Sequence, residues 1–288
     1  MDFKKYLEKQ QLSINTINGY QNTIKLLLDW LKEEGIQPEK MTYADLLAYI
    51  RYAGNKGNSK RHINQQLTVA RHYFNYLIKI GKTNDNVADS LFIKGVSRRL
   101  PHDLLDEETL CKIYEKYPTK GAAGKRNKAM LGIMIYQGLN TEEIGKLEAE
   151  HIQLKEGKIY VPGGRRSNSR ILPLAAHQVL ELKDYIEKTW PLILQIAEKE
   201  TDKLFTSTGP SERISNTTTK LIQNVQKYAP EVKSVKQIRM SVITYWLEKS
   251  NLREVQYMAG HRYVSSTERY LLTNLDDLQN DLNEFHPL

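Results

Sequence analysis

Four residues near the carboxyl end of the chain are of the types that phosphoryl transfer requires. Lys236 and Arg239 lie three positions apart, so they share one side of the helix that the pattern predicts there. His261 follows beyond that helix, and Tyr270 lies nine residues after it. A tyrosine oxygen is a nucleophile, two cations can neutralise a pentacovalent phosphorane, and a histidine offers a path for a proton. Together these residues predict phosphodiester transesterification without a metal ion.

Each of these residues has a simpler explanation when it is taken alone. The chain has 17 tyrosines, so an isolated Tyr270 would be an ordinary core or surface residue. His261 alone would be a core or helix-terminal histidine, and the two cations would be a solvated pair. The order and spacing of all four carry the functional hypothesis. Ser265 and Glu268 form a capping-box pattern, which predicts a short helix that presents the Tyr270 phenol outward.

At these residues the sequence resembles the tyrosine recombinase, or phage integrase, family. The family's terminal motif joins Gly-His, small hydroxyl residues and a nucleophilic Tyr, and it is matched by Gly260, His261, Ser265, Ser266, Thr267 and Tyr270. The family's His-x-x-Arg box corresponds to residues 236–239, and its Gly-Leu-Arg-x-x-Glu-Leu box to residues 138–144. Its basic β-hairpin, which usually carries a catalytic lysine, corresponds to the turn that holds Arg165 and Arg166.

Three positions depart from the family pattern. Asn140 stands where the family has an arginine that clamps the scissile phosphate, and Lys236 replaces the histidine of the second box. The hairpin has Arg165 and Arg166 where a lysine is usual. Two interpretations stay open: a working enzyme whose cations are redistributed, and a DNA-binding protein that has lost cleavage. In the first, a hairpin arginine supplies the second guanidinium beside Arg239, and Lys236 is the general acid, because an arginine does not readily release a proton.

The resemblance implies a function and partners. It implies a site-specific recombinase, serving a mobile element, that cleaves double-stranded DNA through a 3′-phosphotyrosine and then rejoins it. It also implies a homotetramer on two DNA sites, accessory DNA-bending proteins in some reactions, and no cofactor, because the phosphotyrosine conserves the bond energy. A tyrosine-type topoisomerase, which would share the chemistry but act without synapsis or site preference, is a third interpretation.

Hydrophobic periodicity predicts a mainly α-helical chain with one small β-hairpin. Ser13, Thr42 and Ser59 each precede an amphipathic pattern and are predicted helix caps. The period changes to two over residues 158–161 and 170–174, on either side of the sequence GGRRSNS, which predicts a hairpin.

The helical period fails from about residue 82 to residue 103, which predicts a domain boundary. Combined with the resemblance, this gives a two-domain tyrosine recombinase architecture. Its expected parts are a helical, SAM-like core-binding domain at 1–88, a basic linker at 89–103, a mixed α/β catalytic domain at 104–274 and an assembly tail at 275–288. In the tail, leucines and a phenylalanine recur at helical spacing, so it is expected to dock on a neighbouring subunit or, as an alternative, on its own domain.

Charge favours a polyanionic partner. The chain carries a formal net charge of +8, of which residues 1–100 hold +7, with 16 Lys and Arg against 9 Asp and Glu. The candidate phosphate contacts are Lys60, Arg61, Arg71 and Lys79 on one predicted helix, and Arg98 and Arg99 in the linker. The helix residues fit an ordinary solvated face equally well.

Composition and local patterns also argue against disulfides, a membrane segment and a metal site. A single cysteine, Cys111, excludes an internal disulfide framework and suits a reducing cytoplasm. We expect no membrane segment, because no stretch approaches the roughly 20 apolar residues that a span needs, and the first residues form no apolar signal segment. We also expect no metal site: Asn140 is predicted to cap a helix, and the acids near it are expected to be surface residues that complement the helix dipole, namely Glu142, Glu143, Glu148 and Glu150.

Overall fold

The chain folds into two compact units. The computed structural model describes residues 2–96, 100–165, 167–209 and 213–271. The units are Met1–Arg98 and Arg99–Leu288, and each has its own hydrophobic core. The division between them therefore lies within the segment predicted as a linker. Arg98, Arg99, Arg166 and the tail 275–288 lie outside the described residues.

The first unit is a bundle of helices whose starts follow local sequence signals. Its helices are α1 (Phe3–Lys9), α2 (Ile14–Glu33), α3 (Tyr43–Asn55) and α4 (Lys60–Lys79). The predicted caps are confirmed: the side chains of Ser13, Thr42 and Ser59 accept the backbone N–H groups of Thr16, Asp45 and His62. Helix α1 was not predicted.

The segment that follows α4 turns back along that helix. The Asn86 amide donates to the carbonyl of Arg71 at 3.0 Å. Further along, the Asn64 side chain donates to the carbonyl of Ile93 at 2.8 Å and accepts its N–H at 2.7 Å. Because asparagine offers both a donor and an acceptor, it can pair with backbone as a strand would. The first residues of the predicted linker are thus fastened to α4, and the first unit extends beyond residue 88.

The second unit is built around α6. Its helices are α5 (Glu107–Lys116), α6 (Gly121–Tyr136), α7 (Thr141–Lys146), α8 (Ala176–Asp184), α9 (Trp190–Ala197), α10 (Ile214–Val225), α11 (Val235–Lys249) and α12 (Leu252–Ala259). A π-helical turn, Tyr185–Thr189, joins α8 to α9 without a break, and residues 265–271 are also helical. The second half of helix α6 is apolar and lies in the core, with Met130, Leu131, Ile133 and Met134 fully buried. No helix within the described ranges has both the length and the apolar character to cross a membrane.

A three-stranded antiparallel sheet carries the hairpin. Its strands are β1 (Ile152–Gln153), β2 (Lys158–Val161) and β3 (Arg170–Pro173), in that order. Strand β1 was not predicted, whereas β2 and β3 form the predicted hairpin, with Val161 opposite Arg170. Along β3 the buried residues alternate with exposed ones, so Arg170 points inward on the same face as Leu172. A charged side chain is thereby directed into the interior of the second unit.

Candidate active site

Arg239, on α11, is held by three separate parts of the second unit. Its Nη1 donates to the carbonyl of Gly138 at 2.7 Å and to Glu143 Oε2 at 2.8 Å, and its Nη2 donates to the carbonyl of Ala259 at 2.6 Å. The side chain is 11% exposed. The N–H on Nε and the second hydrogen on Nη2 have no acceptor among the described residues. This edge of the guanidinium has the fork geometry that binds a phosphate.

Gly138 is required by the turn that presents its carbonyl to Arg239. Its φ is +60°, a conformation that side chains rarely adopt. A Cβ at this position would also lie 3.1 Å from Trp246 and 3.2 Å from Val242. The glycine of the first family box therefore allows both the close packing of α11 and the hydrogen bond to Arg239.

Asn140 is a structural residue, as predicted. Its Oδ1 accepts the N–H of Glu143 at 2.9 Å, and its own N–H donates to Glu143 Oε2 at 3.0 Å. This reciprocal pair caps α7. The position at which the family has a phosphate-clamping arginine thus holds a short side chain engaged in a helix cap.

Glu143 is buried, so the expectation that it is a surface acid is wrong. Its side chain is 2% exposed and lies between Arg239 and Arg170, with Oε1 at 2.8 Å from Arg170 Nη1. Burial raises the pKa of this carboxyl, but the two guanidinium groups and the Asn140 N–H outweigh burial and hold the pKa below its ordinary value. Glu143 is therefore ionised, and it fixes two cations in the centre of the site.

Arg170 is a site residue that the sequence reasoning missed. Its side chain is fully buried, and its Nε donates to the carbonyl of Met258 at 2.7 Å. Its Nη2 is also buried and has no hydrogen-bond partner in the described part of the chain. The signal was present: Leu172 and Leu174 are the inward residues of a period-two pattern, so the same register turns Arg170 inward.

The Gly260-His261 pair lies directly against this arginine. Gly260 ends α12 with a φ of +67°, and a Cβ there would lie only 2.4 Å from Arg170 Nη1. The Nδ1 atom of His261 lies 2.9 Å from Thr267 Oγ1. Burial, and then the positive charges of Arg239, Arg269 and Arg170, lower the pKa of His261 to about 4. The imidazole is therefore neutral at neutral pH and offers one hydrogen-bond donor.

Tyr270 lies beside His261 but does not face outward. The two rings are stacked with centroids 6.1 Å apart. Tyr270 is only 2% exposed, so the predicted outward phenol is wrong. Its Oη accepts a hydrogen bond from Arg269 Nη2 at 2.8 Å. The last helical segment begins at residue 265 itself, one residue earlier than a cap at Ser265 predicts.

The hairpin turn is attached to the His261 segment. Ser167 pairs with His261 in an antiparallel bridge, and the N–H of Asn168 donates to the carbonyl of Gly260 at 3.0 Å. Arg165 is exposed, and its carbonyl accepts from Arg262 Nη1 at 3.2 Å. The turn thus lies next to the site, with the Arg165 side chain directed to solvent.

Lys236 stays at the edge of the site. Its side chain is exposed and lines a groove between α10 and the start of α7, where Thr141 lies. In the described part of the chain it forms no hydrogen bond or ion pair. Arg239, one turn later on α11, points inward instead. The structure therefore gathers Arg239, His261 and Tyr270, and leaves Lys236 and Arg165 exposed.

One group of side chains has the composition of a metal site. Glu148, Glu150 and His151 place potential ligand atoms within 4.8 Å of one another. Glu148, however, forms an ion pair with Lys203, and His151 Nδ1 accepts the N–H of Glu148 at 3.0 Å. Two of the three groups thus have partners within the protein, and the geometry is that of a surface turn.

The candidate phosphate contacts on α4 differ in exposure. Lys60, Arg61 and Lys79 are exposed, with the Lys79 ammonium 6.0 Å from the centre of the Tyr6 ring. Arg71 is half-buried, and its Nε has no partner among the described residues. At ~3.6 residues per turn the four cations fall within roughly one third of the helix circumference. Three of them are exposed on that side of α4.

Comparison with known protein families finds matches over both units. The model of the phage integrase family matches residues 103–276, and the model of the phage integrase N-terminal SAM-like domain matches residues 1–81. The chain is 24% identical over 290 residues to tyrosine recombinase XerC of Oceanobacillus iheyensis, covering 99% of this chain and 94% of that protein. It is 27% identical over 286 residues to tyrosine recombinase XerC of Thermodesulfovibrio yellowstonii, with 96% and 91% covered.

A solved structure shares the fold. XerH site-specific recombinase, bound to a palindromic difH substrate in a post-cleavage complex, superposes with a TM-score of 0.73. The sequences are 18% identical, and the match covers 96% of this chain and 82% of that one. The predicted fold, mainly helical with a small sheet, is confirmed.

Proposed function

Because this chain belongs to the phage integrase family, we propose that it is a site-specific recombinase that cleaves and rejoins duplex DNA through a 3′-phosphotyrosine, in the service of a mobile element. The observation that carries the proposal is that Arg239, His261 and Tyr270 lie together: Arg239 pairs with the ionised Glu143, and the Tyr270 ring stacks on that of His261. A nucleophile, a fixed cation and a neutral hydrogen-bond donor are what attack on a phosphodiester needs.

The proposed reaction is an in-line displacement at phosphorus. The open edge of Arg239 binds the non-bridging oxygens, and His261 donates one further hydrogen bond to them. The Tyr270 Oη loses its proton to water and forms a bond to phosphorus, while the bond from phosphorus to the 5′-oxygen breaks. Lys236 supplies the proton that the departing 5′-oxygen takes up. Guanidinium groups supply the charge neutralisation, so the proposed step runs without a metal ion.

The buried position of Tyr270 adds a conformational requirement. At 2% exposure its oxygen cannot reach a phosphate on the outside of the unit. We therefore infer that the segment of residues 265–271 shifts when DNA binds. His261 and Tyr270 belong to the same short segment, so attack by Tyr270 within its own chain is the simpler arrangement.

The second guanidinium is proposed to come from the hairpin. Arg165 is exposed, whereas Ser167 and Asn168, at the base of the turn, are fixed to the Gly260-His261 segment. An arginine at the tip can therefore fold inward while its base stays in place. Arg166 is the alternative donor.

The opposing proposal is a non-catalytic DNA-binding protein with the same fold. The engaged cap at Asn140 favours it, because no guanidinium stands where the family has its first arginine. The experiment is to incubate the protein with nicked suicide duplexes from its candidate element ends and to look for an SDS-resistant adduct. We expect the adduct with the natural chain and not with Tyr270→Phe, while both bind DNA. An adduct with Tyr270→Phe, or none with the natural chain, would refute the recombinase proposal.

We also propose how the protein assembles on DNA. The working unit would be a homotetramer on two DNA sites, with the tail 275–288 docked on a neighbouring subunit and accessory DNA-bending proteins where the site requires them. We infer a cytoplasmic location, because the DNA substrate and the single unpaired cysteine, Cys111, both suit that compartment.

A further inference from the structure

Arg269 contacts the atom that the proposed function makes the nucleophile. Its Nη2 donates to Tyr270 Oη at 2.8 Å, and its guanidinium carbon lies 4.8 Å from the centre of the Tyr270 ring. We propose that Arg269 is a catalytic residue that stabilises the negative charge on Tyr270 Oη as this oxygen attacks phosphorus. The inference rests on the proposed function and names a residue that the family boxes in this sequence do not include.

The surroundings of the phenol make such a partner necessary. Tyr270 is 2% exposed, so its oxygen has little access to water. An anion in that position is costly unless a charged or polar group of the protein replaces its hydration. A hydrogen bond from a charged donor is stronger than one between neutral groups. Because Arg269 belongs to the same segment, residues 265–271, it stays beside the oxygen when that segment shifts and lowers the cost of the phenolate.

The other cations of the site are engaged elsewhere. Arg239 donates to Gly138, Glu143 and Ala259, and Arg170 donates to Met258 and Glu143. Within the described ranges, neither donates to the Tyr270 oxygen. Arg269 is thus the described cation with a direct hydrogen bond to the reacting atom.

The hydrogen bond to Tyr270 Oη is the one that the Arg269 side chain forms in the described part of the chain. Its Nε is buried and has no partner in the described part of the chain. A buried donor is normally paired. The guanidinium therefore lies over the phenol although one of its donors is left without a hydrogen bond to the described residues. A group held in this way, at the reacting oxygen, has the placement of a preorganised electrostatic donor.

Arg269 moves no proton in this scheme. A guanidinium stays protonated at neutral pH, so it cannot act as the base. Once the segment of residues 265–271 has shifted on DNA binding, the phenolic proton leaves to water, the bond from Oη to phosphorus forms, and the bond from phosphorus to the 5′-oxygen breaks. Arg269 keeps its charge throughout and loses its anionic partner once the oxygen is esterified.

The first test measures the rate of adduct formation on a nicked suicide duplex with Arg269→Met, Arg269→Lys and the natural chain. Removal of one electrostatic donor should slow cleavage about 10²–10³-fold in Arg269→Met. Arg269→Lys keeps the charge and should lose less. Arg253→Met is the matched control, because Arg253 is an exposed arginine of the same unit that contacts Gln256. It should cleave as the natural chain does, and all variants should bind DNA equally.

The second test separates charge stabilisation from a merely structural role. A difluorotyrosine at position 270 is more acidic and forms its phenolate more readily. If Arg269 stabilises the phenolate, the ratio of difluorotyrosine to tyrosine rates should be about tenfold higher in Arg269→Met than in the natural chain. Should Arg269→Met fail to fold by thermal melting, the same comparison is made with Arg269→Gln.

Two outcomes would overturn the inference while leaving the proposed function intact. One is cleavage by Arg269→Met at the natural rate. The other is the same difluorotyrosine ratio with and without the arginine, which would mean that Arg269 only holds the tyrosine in place. Absence of any adduct with the natural chain would instead refute the proposed function, and this inference with it.

Discussion

The surroundings of His261 determine its protonation state. Burial and three neighbouring guanidinium groups lower its pKa to about 4 from the ordinary 6.5. The unfolded chain therefore binds a proton at this residue below pH ~6.5, whereas the folded chain does so only below pH ~4. The contribution of this group to stability is complete above pH ~6.5 and is lost as the pH falls toward ~4.

This shift gives the first prediction, a pH-dependent stability difference between the natural chain and His261→Gln. One pKa unit corresponds to ~1.4 kcal/mol, and allowing for partial solvent screening we expect the natural chain to lose about 1–2 kcal/mol more than the variant between pH 7.5 and pH 5. The measurement is urea unfolding at the two pH values. The other histidines titrate in both proteins and cancel in the comparison. An equal loss in both would mean that His261 is protonated in the folded protein.

Lys236 provides the second prediction. It is exposed at the edge of the site, and if it is the general acid its loss should slow cleavage by roughly 10²–10³-fold. DNA with a 5′-bridging sulfur has a leaving group that departs without a proton. Lys236→Ala should therefore recover on that substrate, whereas Arg239→Ala should stay slow on both. Equal defects of Lys236→Ala on the two substrates would make Lys236 a charge stabiliser and assign the proton to another group.

At the scale of elements, the end of α12 determines how closely the parts of the site approach. The third prediction is that Gly260→Ala destabilises the second unit by about 2–4 kcal/mol, because strain from the positive φ adds to the collision with Arg170. Gly157→Ala is the matched control: its φ is +60°, but nothing lies within 4 Å of its Cβ position. It should lose about 1 kcal/mol from the backbone alone. Equal losses in urea unfolding would show that Arg170 moves aside freely.

Local signals were sufficient for most elements. Helix caps such as Thr42 and Ser59 were predictable because one side chain and the N–H group three residues later define them. Strands β2 and β3 followed from their period of two. Strand β1 has only two residues, which is too short for any periodic signal. The sequence thus predicted the elements whose signals lie within the element itself.

The burial of residues within the site could not be predicted, because it depends on contacts between elements that are distant in the sequence. Glu143 lies in the first turn of α7, where an acid usually complements the helix dipole at the surface. It is buried because Arg170, from β3, and Arg239, from α11, both approach it. The burial of Tyr270 likewise depends on how the last helical segment packs. Such approaches are set by tertiary structure, which no local spacing encodes.

At the scale of the whole molecule, the two units divide the charge unequally. Residues 1–100 hold +7 of the net +8. The fourth prediction is that a fragment of residues 103–288 binds duplex DNA much more weakly than the full chain, because phosphate contacts supply most of non-specific affinity. Its own hydrophobic core supports folding of this unit, and circular dichroism would check that. Undiminished affinity in the folded fragment would refute this division of labour.

The last prediction tests, in the full-length chain, whether the cations of α4 contribute to DNA affinity. Each phosphate that a cation neutralises lowers the slope of log K against log salt by ~0.9 on duplex DNA. Replacement of Lys60, Arg61 and Lys79 by Gln should therefore make the slope shallower by up to about 3. The matched control changes three exposed lysines of the second unit that lie beside acids, Lys112, Lys183 and Lys188, and removes the same charge. Because their charges are already balanced locally, the control should keep nearly the natural slope. An equal change in both variants would mean that net charge, rather than contact along α4, determines DNA affinity.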